Sequence, residues 1–310
     1  MVEKKRSEFA KSFAIWFGIA AVMYGTQVGG SMAAGTYAVG YFATFGGGWL
    51  LVFCGIYFLF RAGFSLHALE FIRIYKTTDW NSFYLELYGL NRTDANRILR
   101  LIVTAFFDIM SVFSGIIITA ATINLFGELM NSIFGVPVMI GRLVAVILYA
   151  VLTMYGAGFL RKFNGVMTIG LLVCMIVMIA AVIQVRGDIF FERLGNFEIG
   201  MDWSGTTLGA HFMLLISYAF NSANIGTSLC NFSQNIRGPK DSLWTSILLG
   251  LLSISAFFMT SCIVLPFLPE MIVDTPILDI CVKYLPTFIT AFYWVLVVLS
   301  VVSTGPSFTY

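Results

Sequence analysis

Charged residues are scarce in this sequence, and their scarcity excludes most classes of soluble protein. Only 11% of the 310 residues are Asp, Glu, Lys or Arg, whereas soluble domains have roughly 25%. Disorder is excluded because disordered chains combine low hydrophobicity with high charge, and this chain is 59% hydrophobic. A net charge of +2 provides no basic face, so no nucleic-acid partner is expected.

The sequence also lacks the patterns that metal, redox and nucleotide sites require. His67 and His211 stand alone, and the five cysteines are scattered without a CxxC pair, so neither a structural metal nor a disulfide framework is indicated. No GxxxxGK[ST] motif occurs, which argues against an ATP-driven pump in one chain. Clusters of catalytic groups are missing too, so we expect no enzymatic activity and no cofactor.

Long apolar runs dominate the chain instead and indicate an all-α polytopic membrane protein that lies in a lipid bilayer. A span needs about 20 mostly apolar residues, and these continuous runs are unlike the alternating pattern of a β-barrel. We interpret residues 1–310 as a single transmembrane domain. Its predicted spans are at about 12–45, 49–72, 101–127, 138–157, 165–186, 206–235, 243–268 and 287–310.

The placement of lysine and arginine predicts the topology. Thirteen of the eighteen lie in residues 1–11, in the loop 73–100 and in the turns 158–164 and 236–242, whereas four lie in the opposite connections. This bias places the N-terminus and the loop 73–100 in the cytoplasm, and places the protein in the cytoplasmic membrane. The same bias indicates that 12–45 is one overlong span. Two spans there would place the basic loop 73–100 outside the cell and so reverse the distribution of positive charge. The loop 73–100 is expected to contain an amphipathic helix that starts near Asp79, and residues 270–286 a short helix that caps a cavity.

Two of the eight spans contain concentrations of glycine, hydroxyl and amide residues at mid-depth. Residues 25–35 read GTQVGGSMAAG, and residues 217–228 read SYAFNSANIGTS. Interrupted helices in corresponding positions of two halves indicate a transporter binding site, and spans one and six are five apart, as a five-plus-five repeat requires. The alternative is that the small residues serve close helix packing.

The run 25–47 resembles the first helix of the YkvI-type bacterial membrane proteins, which belong to the amino acid–polyamine–organocation superfamily with the LeuT-like fold. The resemblance implies a 5+5 inverted-repeat helical bundle with discontinuous helices 1 and 6. That fold has ten core helices, and eight are counted here. Helices 9 and 10 are therefore expected to be missing from this sequence, which we interpret as a fragment rather than a shortened variant.

The resemblance also implies where a small-molecule solute binds. The amides of Gly29, Gly30 and Ser31 are the candidate cradle for its carboxylate, because the positive ends of broken helices attract anions. The opposite wall is assigned to Phe220, expected to close over the solute, and to Asn221, Ser222 and Asn224. Hydrogen bonding between helices is the alternative role for the two asparagines.

A sodium site follows from the same resemblance. Its implied ligands are the carbonyls of Gly25 and Val28 with the hydroxyls of Ser303 and Thr304, and oxygen ligands suit a hard cation. The hydroxyls could instead bond to the preceding helical turn. Coupling to sodium, coupling to protons and no coupling all stay open.

Two of the charges inside predicted spans are singled out as candidates, because ionisable residues within a membrane indicate function. Arg61 lies in the second span and Asp108 in the third. The two are interpreted as an ion pair that acts as a structural strut or a gate, or else Asp108 is a proton site.

The sequence thus predicts a secondary active transporter of a small zwitterion, an amino acid above all, that works by alternating access. The alternative is a permease-like receptor subunit that binds its ligand without transporting it. The oligomeric state is not determined by these patterns.

Overall fold

The protein is all-helical in the part of the chain described by the structure, a computed structural model. The described residues are 2–27, 30–92, 96–154, 156–197, 207–221 and 229–304. Helix accounts for 86%, and no strand occurs among these residues. The α-helices are α1 (Val2–Gln27), α2 (Gly30–Ala34), α3 (Thr36–Ala38), α4 (Gly47–Tyr75), α5 (Trp80–Leu87), α6 (Arg97–Phe134), α7 (Val138–Met154), α8 (Gly156–Leu194), α9 (Leu208–Asn221), α10 (Pro239–Val264), α11 (Pro276–Lys283) and α12 (Thr287–Thr304).

Four helical stretches among the described residues are long and apolar enough to cross a membrane. They are Gly47–Tyr75, Arg97–Phe134, Val166–Leu194 and Pro239–Phe267. Shorter apolar helices cover Phe9–Gly25, Val138–Val151, Leu208–Phe220 and Thr287–Ser300. Every predicted span therefore contains an apolar helix, and the prediction of an all-α chain with apolar helices suited to a bilayer is confirmed.

The first apolar segment is divided into several short helices. α1 ends at Gln27, α2 begins at Gly30, and a π-helix covers Val39–Ala43. Gly35 separates α2 from α3 with a φ of +88°, a conformation that only glycine adopts without strain. A Cβ atom at Gly35 would lie 2.7 Å from Cγ1 of Ile277, so the glycine also allows α11 to lie directly on this segment.

The two short helices expected between the spans are both present. α5 begins after Asp79, whose Oδ1 accepts a hydrogen bond of 2.8 Å from the backbone N–H of Ser82, and this N-cap explains the start. α11 lies within the expected range 270–286. Both predictions of helix position are confirmed, because caps and turn residues are local signals.

The fifth span differs from its predicted limits. α8 begins at Gly156 and runs to Leu194, with a kink at Arg186, so the stretch 158–164 is helical and the basic pair Arg161 and Lys162 does not mark a turn. No proline interrupts this stretch, and its Leu, Arg and Lys residues favour a helix. The count of lysine and arginine residues had assigned 158–164 to a turn, but the backbone there is helical.

The core is built around α4 and α10. α4 packs along α10, and α1 packs against both α10 and α8. A Cβ atom at Gly250 of α10 would lie 2.9 Å from the ring of Phe58, so the glycine lets the two helices approach closely. Elsewhere α6 packs against α7, and α12 against α8.

The C-terminal end of α8 holds the end of α10 in place. Arg193 Nη1 donates to the carbonyls of Leu265 and Leu268, at 2.9 and 2.7 Å, and Arg186 Nη1 donates to the carbonyl of Pro266 at 3.1 Å. These carbonyls belong to the 3-10 turn Leu265–Phe267 and to Leu268, which directly follow α10. The two arginines therefore satisfy backbone acceptors just beyond the end of that helix.

Candidate functional site

Four tyrosines from three different segments meet in the interior and define what we call the tyrosine cluster: Tyr37, Tyr41, Tyr57 and Tyr218. Tyr218 of α9 contacts the other three, with ring centroids 4.4 Å from Tyr41, 5.2 Å from Tyr37 and 5.7 Å from Tyr57. Tyr37 and Tyr41 lie edge to face at 5.8 Å. The cluster therefore joins the segment after the first helix break to α4 and α9.

Two phenylalanines close one side of the tyrosine cluster. Phe257 of α10 lies 5.0 Å from Tyr57 and 5.7 Å from Tyr218, and stacks on Phe42 at 4.6 Å. Phe42 and Phe257 are fully buried, whereas Tyr37, Tyr41 and Tyr218 are only partly buried. The cluster is thus buried where it faces α10, whereas Tyr37, Tyr41 and Tyr218 keep part of their surface accessible.

Arg61 lies at the base of the cluster, one helical turn after Tyr57 on α4. It is 2% exposed. The face of α4 that carries it is buried from Leu50 to Ile72. A permanent positive charge is therefore held inside an apolar helical bundle.

His211 lies beside the cluster, although the sequence pattern assigned it no role. It is 1% exposed and packs between the rings of Phe45, at 4.5 Å, and Phe53, at 4.9 Å. Its Nε2 is 2.9 Å from the carbonyl oxygen of Tyr41. Because a carbonyl oxygen only accepts, Nε2 carries the proton and donates it. This hydrogen bond ties α9 to the π-helix, a type of segment that is frequent at functional sites.

The structure places Phe220 outside the tyrosine cluster, and its assignment to the solute-binding wall stays a prediction. Its ring contacts Phe60 and Phe64 of α4, at 5.7 and 5.1 Å, and its side chain is 54% exposed. It does not join the tyrosine cluster. Successive helical residues are about 100° apart, so Phe220 faces nearly away from Tyr218, which holds the inward position.

Three of the remaining residues assigned to solute binding are described, and they lie at the ends of helices. Gly30 and Ser31 are the first two residues of α2, and Asn221 is the last residue of α9. Gly29, Ser222 and Asn224 lie outside the described residues. The assigned cradle and the opposite wall therefore both fall where the described helices begin or end.

The residues assigned to a sodium site lie on helices that pack together. Gly25 is buried in the last turn of α1, and Ser303 and Thr304 end α12. α12 packs against both α1 and α2, the helices on either side of the first break. Val28 lies outside the described residues. Within the described ranges, no group of three or more His, Cys, Asp or Glu residues could hold a metal ion.

The structure does not bring Arg61 and Asp108 together as an ion pair. Asp108 is exposed on α6, amid exposed apolar residues such as Phe106 and Ile109, whereas Arg61 is buried. The helices that pack most closely on α4 are α10 and α9. The strut and gate interpretations that rest on this pair are therefore not supported by the geometry.

Sequence reasoning missed the tyrosines although they leave a signal. Tyr37 and Tyr41 are four residues apart, as are Tyr57 and Arg61, so each pair shares one helix face. The signal was weak because α4 is apolar all round, and such a helix shows no preferred inward face.

No family model and no curated protein matched this sequence when it was compared with them.

Proposed function

We propose that this chain is a secondary active transporter of a small zwitterionic solute, an amino acid above all, and that it works by alternating access. One observation carries the proposal: in the apolar helical bundle, the partly accessible rings of Tyr37, Tyr41 and Tyr218 meet Tyr57, one helical turn from the buried Arg61. Within an apolar helical bundle, that is where a polar solute can be bound.

The helix ends support this reading on physical grounds. α2 ends at Ala34, and Gly35, with a φ of +88°, interrupts the helical backbone of the first segment. Non-helical backbone at membrane depth is tolerated where it is buried in protein or lines a cavity. The stacking of Tyr41 on Tyr218 at 4.4 Å joins the two segments directly, so a solute that moves one segment acts on the other.

The helix pairing supports an inverted repeat of five spans. Counting α1–α3 as span one, α4 as two and α6 to α10 as three to seven makes α12 span eight. A repeat of five relates span one to span six and span two to span seven. Under this repeat, the contact between α1 and α10 has the contact between α4 and α9 as its counterpart. The contacts of α4 with α10 and of α6 with α12 are each their own counterpart. Both members of the one pair that the repeat relates, α1–α10 and α4–α9, are present, which supports the proposed repeat.

The proposal takes the form of sodium coupling. The packing of α12 on α1 and α2 favours this form, because those helices carry the assigned ligands Gly25, Ser303 and Thr304, with Val28 as the fourth. The proton-coupled form would need an ionisable group in the pathway. Asp108 is exposed on α6, apart from the cluster, whereas His211, which is ionisable, lies beside the cluster.

Thermal unfolding of the purified protein tests the proposal. The midpoint is measured with each of the twenty common L-amino acids, in sodium buffer and in choline buffer, because a ligand of the folded state raises the midpoint. We expect one class of amino acid to raise it in sodium and less so in choline. No shift with any amino acid would contradict the proposed solute class.

Uptake into liposomes separates a transporter from a receptor subunit. An amino acid that raises the midpoint is added, radiolabelled, to proteoliposomes with an inward sodium gradient. Accumulation above the external concentration supports secondary transport. Binding without accumulation under sodium and proton gradients would contradict it and favour the ligand-sensing alternative.

A further inference from the structure

The first residues of α6 form an exposed surface that carries two arginines. Arg97 and Arg100 are exposed, and so is every other residue of the stretch 96–102. A stretch of this length makes about two turns of a helix, so it is accessible on every side as far as the described residues are concerned. We call this stretch, residues 96–102, the basic surface.

The positive charge of the basic surface is not balanced by a carboxylate of the described chain. Among the described residues, neither Arg97 nor Arg100 is in an ion pair or a side-chain hydrogen bond. The first turn of α6 contains no acidic residue, and two charges three residues apart are neighbours that repel each other. The carboxylates of the adjoining segment have other partners, because Asp79 caps α5 and Glu86 accepts a hydrogen bond from Asn91. An anion can therefore bind the arginines without displacing a carboxylate.

Large apolar side chains lie beside the arginines on the same surface. These exposed side chains are Ile98, Leu99, Leu101 and Ile102. Exposed apolar surface bordered by charged residues marks a contact with another molecule or with a membrane. A soluble anion such as phosphate would use only the charge. A molecule with an anionic head and apolar chains would use both parts of the surface.

The length of α6 places the basic surface at the lipid headgroups. α6 has 38 residues and is about 57 Å long, whereas the hydrocarbon core of a bilayer is about 30 Å thick. An arginine is costly within hydrocarbon, and the apolar stretch of α6 begins directly after Arg100. The arginines therefore lie at headgroup level, with Leu101 and Ile102 at the edge of the hydrocarbon. On the predicted topology this is the cytoplasmic leaflet, which carries anionic lipids.

We propose that Arg97 and Arg100 bind the headgroup of an anionic phospholipid. A guanidinium binds phosphate oxygens through a planar fork of N–H donors, and the acyl chains of the lipid would lie along Leu101 and Ile102. The inference goes beyond the proposed function and does not depend on it, because the ligand is a membrane lipid and not a transported solute. The competing explanation is that the two arginines only keep the end of the helix in water.

Binding of single lipids to the purified full chain tests the inference. The protein in a neutral detergent is titrated with phosphatidylglycerol or with phosphatidylcholine, and the bound lipid is counted by native mass spectrometry. We expect phosphatidylglycerol to bind at least about tenfold more tightly, because each basic residue strengthens attraction to an anionic lipid surface about fivefold. Equal binding of the two lipids would overturn the inference.

Paired variants assign the lipid preference to α6. Arg97→Gln combined with Arg100→Gln is expected to remove most of it. The control combines Arg237→Gln with Lys240→Gln, which removes two positive charges from exposed positions on the same predicted side, where Asp241 already lies in the first turn of α10. The control should keep the preference. An equal loss in both pairs would reveal an effect of net charge alone and overturn the inference, and so would a preference that both pairs retain.

Two further measurements complete the test. The unfolding midpoint of each variant without added lipid should match that of the unaltered protein, because glutamine favours a helix and the altered positions are exposed. If the Arg97 and Arg100 pair does not fold, the two single variants are compared, and full preference in both would overturn the inference. Inorganic phosphate is then added as a competitor. Displacement of phosphatidylglycerol by an equal concentration of phosphate would overturn the assignment to a lipid.

Discussion

At the scale of single residues, Tyr218 has the largest number of aromatic neighbours within the tyrosine cluster. Its ring lies within 5.7 Å of the ring centroids of Tyr37, Tyr41, Tyr57 and Phe257. Aromatic pairs contribute roughly 0.5–1.5 kcal/mol beyond their buried area. Removing this one ring therefore affects the packing of three segments and the wall of the proposed site together.

Replacing Tyr218 by alanine should weaken ligand binding far more than replacing Phe220. Tyr218→Ala is expected to raise the Kd of any amino acid that shifts the unfolding midpoint by about tenfold or more, because two or more ring contacts are lost. Phe220→Ala, two residues away on the same helix, removes a ring of similar size that contacts α4 outside the cluster. Titration by thermal shift compares them, and equal losses would count against the cluster as the binding site.

Two glycines of α4 give a second comparison at this scale. A Cβ atom at Gly47 would collide with the backbone of Leu194 and lie 2.6 Å from the carbonyl oxygen of Arg193, whereas one at Gly55 would meet nothing within 4 Å. Gly47→Ala should lower the unfolding midpoint, since backbone must move at a cost of about 1–3 kcal/mol.

Gly55→Ala is the control for that prediction. Alanine is favoured over glycine within a helix by about 1 kcal/mol, so the midpoint should stay level or rise. Thermal unfolding in detergent measures both variants. A Gly47→Ala protein as stable as Gly55→Ala would show that α4 and the end of α8 are not in contact.

At the scale of elements, a hydrogen bond links the N-terminal helix to the start of α10. Trp16 Nε1 donates to Oδ1 of Asp241 at 2.8 Å, and the backbone N–H of Arg237 donates to Oδ2 at 3.0 Å. The Trp16 ring also stacks on Trp244 at 6.0 Å. Asp241 lies in the first turn of α10, where a carboxylate also favours the helix dipole.

Loss of the Asp241 carboxylate should loosen α1 from α10. Asp241→Ala is expected to cost about 1–3 kcal/mol, because it removes two hydrogen bonds to a charged group. Lys240→Ala alters the adjacent exposed residue and should have little effect. A double-mutant cycle with Trp16→Phe, read by thermal unfolding, should show coupling between Trp16 and Asp241, and strictly additive effects would contradict the link.

At the scale of the whole molecule, the charge bias predicts on which side of the membrane each connection lies. The connection after α5 and the one before α11 are separated by five predicted spans, so they are expected on opposite sides. The five native cysteines are all buried, which keeps background labelling low.

Single cysteines in these two connections test the topology. With the N-terminus in the cytoplasm, a membrane-impermeant maleimide added to intact cells should label Asp274→Cys and not Asn91→Cys, because both positions are exposed and only the former lies outside. Both should react after the cells are permeabilised, which is the control. The reverse labelling pattern would invert the topology.

The sequence by itself determined what depends on local composition. Apolar runs predicted where the helices lie, the Asp79 cap predicted the start of α5, and the glycine-rich stretch 25–35 predicted where α1 ends and α2 begins. The start of α8 was missed because the basic residues at 158–164 were interpreted as a turn signal, although no proline there interrupts a helix.

Only the tertiary structure decided which side chains meet. It brought Tyr37, Tyr41, Tyr57 and Tyr218 together, separated Arg61 from Asp108 and turned Phe220 away from the cluster. The physical reason is that a helix apolar on every side carries no hydrophobic stripe to mark its inward face. The rotation of each helix about its axis is then set by its packing against distant segments, through close approaches such as that of Gly250 to Phe58.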